Sequence, residues 1–448
     1  MRELRSADPA LRKILQPQKV NPSEEYVRSM FALPYEHGGE RVWFHTLTRQ
    51  MVSGIPDIPE RISGKEIAAD PELSELARGY FMAPAGKDES SFYTGLYRIL
   101  NALVQTKGVM KYVILPTTAC NARCVYCFEQ GRRQETMKPG TAEQVVQYIR
   151  ETKGDGEIEI LWFGGEPLAA VPIIDCICEG LRKNNILYWG NMVTNGSLIT
   201  EEMADRMRDF WKIRNVHVSM DGKEEDYIAR KRYVKGGDHY HTVLRNIRFL
   251  AERGIRVQVH CNTDGDNLPG AGEFLADLAA AVPDKRNVDV CFFLLDQDLD
   301  TEREIEVRRQ MLEINDRIRS LGFPGKDSRL RLHGLRNYFC LADRGSIVIA
   351  PDGSLYACEC CPENSRIGHL TERPDISEAR KQFTRIERQQ SECTTCPFLT
   401  VCTPYEFCAP RSPRCRERRA LLVEMQVRAF LKGEISAEED TDPDENGY

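Results

Sequence analysis

The residues with the clearest chemical potential are cysteines, and they occur in groups. Of sixteen cysteines, three fall within residues 120–127 and nine within residues 340–415. The first group, Cys120, Cys124 and Cys127, has the spacing C-x3-C-x2-C. Three thiolates on a short loop can hold three irons of a cubane iron–sulfur cluster. The remaining iron would be open to a cofactor or substrate, as metals in catalytic sites are. A structural zinc site is the alternative, but no fourth cysteine lies nearby.

The segments that must position this loop alternate between two patterns. From Lys111 to about Leu321, short apolar runs alternate with stretches that are apolar at helical spacing. This predicts an α/β fold with parallel strands and right-handed crossovers. Six such units are two short of a closed eight-stranded barrel, so we expect a partial (β/α)6 TIM-like barrel. The cysteine loop follows the first strand, and active sites of such folds form at the carboxyl ends of the strands.

The regions on either side of the barrel have other patterns. Residues 28–56 predict two strands around a Gly-Gly turn, and helical segments follow, so residues 1–108 form a small N-terminal α+β domain. The barrel then spans residues 109–321. Residues 322–432 are rich in loops and cysteines and end in a helix, whereas residues 433–448 form an acidic tail predicted to be disordered.

The first cysteine group, with Tyr126 before its last cysteine, resembles the signature of the radical S-adenosylmethionine (SAM) superfamily. Three later strand ends resemble motifs of the same family: Gly164-Gly165-Glu166-Pro167, Thr194-Asn195-Gly196 and Ser219-Met220-Asp221-Gly222. The resemblance implies a 4Fe–4S cluster that binds SAM, with the SAM amino group near the first motif. It also implies that Ser219 contacts the ribose or carboxylate of SAM. Arg230 or Arg232 is the candidate partner of that carboxylate, because a guanidinium suits a planar anion.

The second cysteine group resembles the SPASM domain, a C-terminal extension of radical SAM enzymes that holds two auxiliary 4Fe–4S clusters. By this resemblance the first auxiliary cluster is bound by Cys340, Cys358 and Cys408, and the second by Cys393, Cys396, Cys402 and Cys415. Five residues separate Cys402 from Cys408, where the family usually has three. The fourth ligand of the first auxiliary cluster stays open between Cys360, Cys361 and a substrate thiolate. Zinc ribbons are the alternative.

One carboxylate is a candidate catalytic group. Glu359 directly follows Cys358, and related sulfatase-maturing enzymes have a proton-accepting carboxylate at the matching place. A glutamate at the edge of a cluster can act as a general base. A solvated side chain is the alternative.

The resemblance implies an oxidoreductase that cleaves SAM reductively to a 5′-deoxyadenosyl radical and takes hydrogen from a peptide or protein. The N-terminal pattern is similar to the precursor-recognition domain of ribosomal-peptide maturases, and we expect the strand near Val42–Leu47 to offer an open edge to a leader peptide. The leading hypothesis is therefore a maturase that forms thioether or carbon–carbon cross-links. The rivals are a formylglycine-forming sulfatase maturase and a non-catalytic iron–sulfur redox scaffold.

Composition and targeting signals limit the partners. The formal net charge of −7 argues against nucleic acid, which needs clustered cations. The first residues lack the apolar core of a signal peptide, and no stretch approaches the roughly 20 apolar residues of a membrane span. We therefore expect a cytoplasmic protein whose partners are a precursor peptide and an electron donor such as flavodoxin or ferredoxin.

Overall fold

A computed structural model describes most of the chain: residues 1–7, 9–55, 57–104, 110–295, 301–324, 346–361, 365–372, 391–401 and 415–433. These residues fall into two compact units. The first takes those within Met1–Gln105 and Thr384–Tyr448, and the second those within Thr106–Asp327 and Leu341–Phe383. None of the described helices combines the length and apolar composition that crossing a membrane requires.

The first unit begins with seven short strands and four helices. The strands are β1 (Arg2–Arg5), β2 (Glu25–Arg28), β3 (Ala32–His37), β4 (Glu40–His45), β5 (Met51–Ser53), β6 (Arg61–Ser63) and β7 (Met82–Pro84). The helices are α1 (Pro9–Ile14), α2 (Gly64–Ala69), α3 (Pro71–Arg78) and α4 (Glu89–Val104). The strands form two antiparallel sheets with the orders β1-β5-β4-β3 and β6-β2-β7.

Strands β3 and β4 form a hairpin, which confirms the predicted Gly-Gly turn. Gly38 and Gly39 have φ angles of +58° and +80°, the left-handed conformation that a tight two-residue turn requires. The prediction of an open edge near Val42–Leu47 is wrong, because β4 lies between β3 and β5 and Phe44 is paired on both sides. Strand β5 has only three residues, too few to show an alternating pattern in the sequence.

The second unit contains the predicted β/α alternation. Its strands are β8 (Lys111–Thr117), β9 (Ile158–Gly164), β10 (Tyr188–Thr194), β11 (Ile213–Ser219), β12 (Arg256–Thr263), β13 (Val288–Leu294), β14 (Ile347–Ile349), β15 (Ser354–Tyr356) and β16 (Arg366–His369). Its helices are α5 (Pro139–Thr152), α6 (Val171–Lys183), α7 (Glu201–Asp209), α8 (Glu224–Lys231), α9 (His239–Glu252), α10 (Ala271–Ala281) and α11 (Thr301–Ser320).

One nine-stranded sheet runs through this unit, in the order β13-β12-β11-β10-β9-β8-β14-β15-β16. Strands β8 to β13 are parallel and adjacent in chain order, which confirms the predicted partial (β/α)6 barrel. Strand β14 pairs in parallel with the other side of β8, and β15 and β16 continue the sheet antiparallel. The sequence pattern does not predict this extension, because its strands are only three or four residues long.

A line of polar side chains crosses four neighbouring strands of the barrel. Lys111 Nζ lies 2.5 Å from Glu159 Oε1, and Asn191 Nδ2 donates a 3.0 Å hydrogen bond to the same oxygen. Asn215 Nδ2 in turn donates to Asn191 Oδ1 at 2.8 Å. These partners satisfy groups that would otherwise be costly to bury.

The C-terminal residues complete the first unit. Two 3-10 turns, Ser391–Thr395 and Leu399–Val401, precede helix α12 (Cys415–Leu431). Thr46 Oγ1 donates to Pro397 O at 2.6 Å, and Thr400 Oγ1 donates to Thr46 O at 2.7 Å. Apolar side chains from both ends of the chain share two core clusters, one with Phe31, Leu47, Tyr93, Cys393 and Leu399, the other with Val42, Phe44, Phe398, Val423 and Val427.

Candidate functional site

Cys120, Cys124 and Cys127 lie on the loop after β8, as the sequence predicts for a group at the carboxyl end of a strand. Their thiols are free and their residues are half-buried. Burial raises the pKa of Cys120 to about 11 and also raises the pKa of Cys127. A bound metal cation lowers the pKa of its thiol ligands. Cys120 and Cys127 are therefore poor free thiolates that a metal would convert into ligands.

Gly164 and Gly165 allow the end of β9 to approach this loop closely. Gly164 has φ of +111°, which disfavours a side chain. A Cβ on Gly165 would lie 2.5 Å from Ala119 O and 2.6 Å from Thr118 O. Glu166 N donates to Ala119 O at 2.9 Å. The two glycines therefore allow the end of β9 to pack directly against the residues just before Cys120, and their contact with SAM stays a prediction.

Glu166 is fully buried and ties two strand ends together. Its Oε1 accepts hydrogen bonds from Thr194 Oγ1 at 2.7 Å and Leu168 N at 3.1 Å. Its Oε2 accepts a bond from Asn195 N at 2.8 Å. Burial raises the pKa of this carboxyl group, although these three donors act in the opposite direction. The structure thus places the Glu166 carboxylate in a supporting position behind the loop.

Asn195, at the end of β10, contacts the cysteine loop directly. Its Nδ2 donates to Asn121 Oδ1 at 2.8 Å and lies 3.9 Å from Cys120 Sγ. Its Oδ1 accepts a 2.6 Å bond from Ser197 Oγ. Hydrogen bonds to ligand sulfurs influence the reduction potential of an iron–sulfur cluster. Asn195 is therefore placed to orient Cys120 and to tune a cluster there.

A buried network joins the cysteine loop to the ends of β11 and β12. Tyr126 OH donates a 2.5 Å hydrogen bond to Asp221 Oδ2. Lys231 Nζ donates to Tyr126 OH at 2.8 Å and to Ser219 Oγ at 2.7 Å, and lies 3.2 Å from Asp221 Oδ2. Asn262 Nδ2 donates to Tyr126 OH at 3.1 Å. The network fixes both Tyr126 and Ser219, two of the predicted cofactor contacts.

Lys231, like Asn262, is a member of this network that the sequence pattern did not predict. Burial lowers the pKa of Lys231, but Asp221 and then Tyr126 raise it well above its ordinary value, so the ammonium is charged. The side chain of Asp221 is fully buried, and it needs a cation nearby. The sequence feature that points to Lys231 is therefore Asp221, which lies in a motif at a strand end and is followed by a run of three cationic residues.

The two arginines beside Lys231 have different surroundings. Arg230 Nη1 donates to Asp264 Oδ2 at 2.8 Å, and the guanidinium carbon lies 5.6 Å from the Tyr126 ring centroid. Within the described part of the chain, Arg230 Nε and Nη2 are buried and have no hydrogen-bond partner. Arg232 is exposed, with φ of +48°, and its side chain does not join this network. Of the two, Arg230 is the one placed to receive a carboxylate.

These observations test whether the predicted cofactors suit the site. Three thiols on one loop are the donor set of a cluster with one open iron. Next to them, two buried N–H groups of Arg230 lack an acceptor among the residues that the structure describes, and buried donors of this kind usually have one. The carboxylate of SAM is an acceptor of the right charge and geometry. The residues therefore fit a 4Fe–4S cluster and SAM.

A second group of potential ligands lies after β15. The Sγ atoms of Cys358 and Cys360 and a carboxylate oxygen of Glu359 lie within 4.8 Å of one another. Cys361 N donates to Cys358 O at 2.9 Å, which folds the segment back, and Arg132 of the cysteine loop donates to Cys360 O. The predicted base Glu359 is therefore beside two sulfurs, and Cys360 is gathered with the predicted ligand Cys358.

The other predicted ligands of the auxiliary clusters are only partly described. Cys396 N donates to Cys393 O at 3.1 Å, so these two residues share one tight turn in the first unit. Helix α12 begins at Cys415. Cys340, Cys402 and Cys408 lie outside the described residues. Both auxiliary ligand sets stay predictions.

Comparison with known proteins gives one family match. Residues 114–271 match the Radical SAM superfamily. The matched range includes the cysteine loop, the glycine motif and all members of the buried network. The match identifies the superfamily and does not identify a substrate.

Several known proteins are similar over larger parts of the chain. An uncharacterized protein of Methanocaldococcus jannaschii is 26% identical over 274 residues, which are 60% of this chain and 91% of the relative. Fe-coproporphyrin III synthase of Methanosarcina barkeri is 24% identical over 334 residues, which are 64% of this chain and 80% of the relative. A solved sulfatase maturase, native anSMEcpe with bound AdoMet and Kp18Cys peptide, shares the fold with a TM-score of 0.58 and 18% identity, over 72% of this chain and 99% of that chain.

Proposed function

We propose that this chain, which carries a radical SAM domain, modifies a ribosomally made peptide by forming a thioether or carbon–carbon cross-link. The oxidoreductase class follows from the domain. The observation that carries the SAM-dependent part is the set of three thiols beside Arg230, whose two buried N–H groups lack an acceptor among the described residues.

Each residue of the site has a defined task in this proposal. Cys120, Cys124 and Cys127 would hold the 4Fe–4S cluster, and Arg230 would hold the carboxylate of SAM. When bound and reduced, the cluster and SAM together supply a 5′-deoxyadenosyl radical that takes hydrogen from the substrate. Lys231 holds Tyr126 and Ser219 at fixed positions, so the polar wall around the cofactor is preorganised.

Two auxiliary clusters complete the proposal. The gathering of Cys358, Glu359 and Cys360 supports a metal group at the predicted place, with Cys360 as an added ligand. Glu359 would then accept a proton from the substrate at the edge of that cluster, and the cluster would accept the remaining electron. The pair Cys393 and Cys396 would contribute to the other cluster. Free, clustered thiols also agree with the proposed cytoplasmic location, where thiols stay reduced.

A peptide substrate is supported by the fold and by one cavity. The sulfatase maturase with a similar fold was solved with a peptide. In the first unit a cavity of about 700 Å³ is lined by apolar residues such as Leu11 and Leu15 and by charged ones such as Arg12, Glu75 and Arg78. Strand β1 lies at an edge of its sheet, and its residue Glu3 also lines the cavity. An edge beside a cavity can bind an extended peptide by backbone pairing and side-chain anchoring.

The decisive experiment compares substrates with one purified, anaerobically reconstituted protein. We expect cross-linking of a precursor peptide encoded beside this gene, measured as a loss of 2 Da per cross-link by mass spectrometry, since each cross-link removes two hydrogens. Formation of formylglycine in a sulfatase-motif peptide would favour the rival enzyme. Formation of Fe-coproporphyrin III would instead favour the chemistry named for the Methanosarcina barkeri relative.

One double variant separates peptide binding from SAM cleavage. Leu15→Glu with Arg78→Glu changes the cavity in the first unit, far in sequence from the cysteine loop. We expect SAM cleavage without peptide to stay at the wild-type rate and cross-linking of the full precursor to fall at least tenfold, about 1.4 kcal/mol of binding. Unchanged cross-linking by this folded variant would exclude the cavity as the peptide site.

A further inference from the structure

Part of the cysteine loop pairs with the segment that carries the three cations. Residues 121–125, which include Cys124, run antiparallel to residues 230–234, and we call the two together the cysteine ribbon. Its backbone hydrogen bonds are Arg123 N to Lys231 O at 3.0 Å, Val125 N to Arg230 O at 3.0 Å and Val234 N to Asn121 O at 2.9 Å.

The cysteine ribbon has an inner and an outer face. Ala122 and Lys231 are buried, and Tyr126 just beyond the ribbon points into the network described above. On the outer face, Val125 is 40% exposed and Val234 is 61% exposed. Ile228, two residues before the ribbon, is 56% exposed. Few large apolar residues in the described chain are this exposed, and these three lie within or beside the ribbon that contains Cys124.

The outer face is also cationic. Arg123, Arg232 and Lys235 are exposed, and none of them pairs with a carboxylate in the described ranges. Two nearby carboxylates already have cationic partners, since Glu225 lies 3.3 Å from Lys223 and Asp264 is paired with Arg230. A surface with free cations is unexpected on a chain with a formal net charge of −7.

We propose that the outer face of the cysteine ribbon is the docking surface for a small acidic electron-transfer protein. This rests on the proposed function, in which the cluster must receive one electron before SAM is cleaved. Docking here places the donor against the ribbon that holds Cys124, so the electron path from donor to cluster is short. The free cations attract an acidic partner, and the exposed apolar residues would be buried when it binds. In the transfer, the donor loses one electron and the cluster gains it.

The test reverses charge on the outer face without touching the site. In the double variant Val234→Glu with Lys235→Glu, both side chains are exposed, and neither belongs to the cofactor network. The matched control is Leu187→Glu with Lys183→Glu, which makes the same change of charge at an exposed aliphatic residue and an exposed lysine (68% and 78% exposed) before β10. Release of 5′-deoxyadenosine is measured with two reductants, dithionite and reduced flavodoxin, using the reconstituted full chain.

The proposal makes separate predictions for the two reductants. With flavodoxin at low ionic strength, the ribbon variant should lose about tenfold in kcat/KM for flavodoxin, and the loss should shrink in high salt. With dithionite, the ribbon variant, the control and the wild type should release 5′-deoxyadenosine equally. Equal flavodoxin kinetics for ribbon variant and control would overturn the docking surface, and so would a wild type that flavodoxin cannot reduce. If no protein cleaves SAM with dithionite, the proposed function itself fails.

Discussion

Lys231 offers a direct test of the buried network, because it can be removed without touching a cysteine. Its ammonium is 3.2 Å from Asp221 Oδ2, and both side chains are almost completely buried. The change Lys231→Met keeps an unbranched apolar side chain nearly as long as the lysine stem and leaves the Asp221 carboxylate buried without its cation. Breaking a buried ion pair in this way typically costs ~3–5 kcal/mol.

The structure favours the lower end of that range. Asp221 retains hydrogen bonds from Tyr126 OH, and from both the backbone N and the side-chain Nδ2 of Asn262. We therefore expect Lys231→Met to cost about 3 kcal/mol, which lowers the melting temperature of a domain of this size by about 6 °C. Adding Asp221→Asn removes the unpaired charge, so the double variant should be more stable than the sum of the two single changes predicts.

Thermal denaturation under nitrogen, followed by circular dichroism at one scan rate, measures these differences. The control is Lys223→Met just before the same helix, where a partly exposed lysine lies 3.3 Å from Glu225 and little stability should be lost. Lys231→Met should also raise the KM for SAM, since Tyr126 and Ser219 lose a shared partner. Our account of the network is refuted if Lys231→Met melts at the same temperature as Lys223→Met and binds SAM normally.

Three further predictions concern the loop and the barrel. Cys124→Ala should lower iron content by about one cluster and abolish release of 5′-deoxyadenosine, and normal cleavage by this variant would move the reductive site elsewhere. Gly165→Ala should also lower iron content, because its Cβ would lie 2.5 Å from Ala119 O, whereas Gly140→Ala, with open space around its Cβ, should not. Burial lowers the pKa of His217 to about 4, so its neutral form is favoured in the folded state. The unfolded chain therefore binds a proton at His217 more readily than the folded chain, so the free energy of unfolding should fall as the pH drops from about 6.5 towards 4. His217→Gln should reduce this pH dependence, measured as the denaturation midpoint at each pH.

The barrel was predictable because its evidence is local. Each parallel strand is a short apolar run and each helix has its own apolar periodicity. Both patterns can be recognised without knowing which distant residues they contact. The positions of Cys120, Asn195 and Ser219 at strand ends followed from the same pattern. What the pattern could not predict was the choice among neighbouring cations. Arg230, Lys231 and Arg232 are adjacent, and only the helix geometry decides which side chain enters the network and which stays in solvent.

Long-range pairing accounts for the other differences. The edge expected at β4 is covered by β5, a strand of three residues whose pattern is too short to detect. Strand β14 likewise joins the barrel sheet through a three-residue register with β8, more than two hundred positions earlier in the sequence. In both cases a partner too short to recognise by itself changes the surroundings of a strand that was predicted correctly.

The hydrogen bond between Thr46 and Pro397 joins positions 351 residues apart, and this separation has a consequence for synthesis on the ribosome. At roughly 5–20 residues per second, the ribosome needs about 20–70 s to travel from one partner to the other. All the strands of the second unit are translated within that interval. Meanwhile Phe44 and Leu47 have been made but still lack Phe398 and Leu399, which join their core clusters. Synthesis of the first unit thus begins first and ends last. The apolar residues of its nascent sheet must therefore avoid non-native contacts until the C-terminal residues emerge from the ribosome.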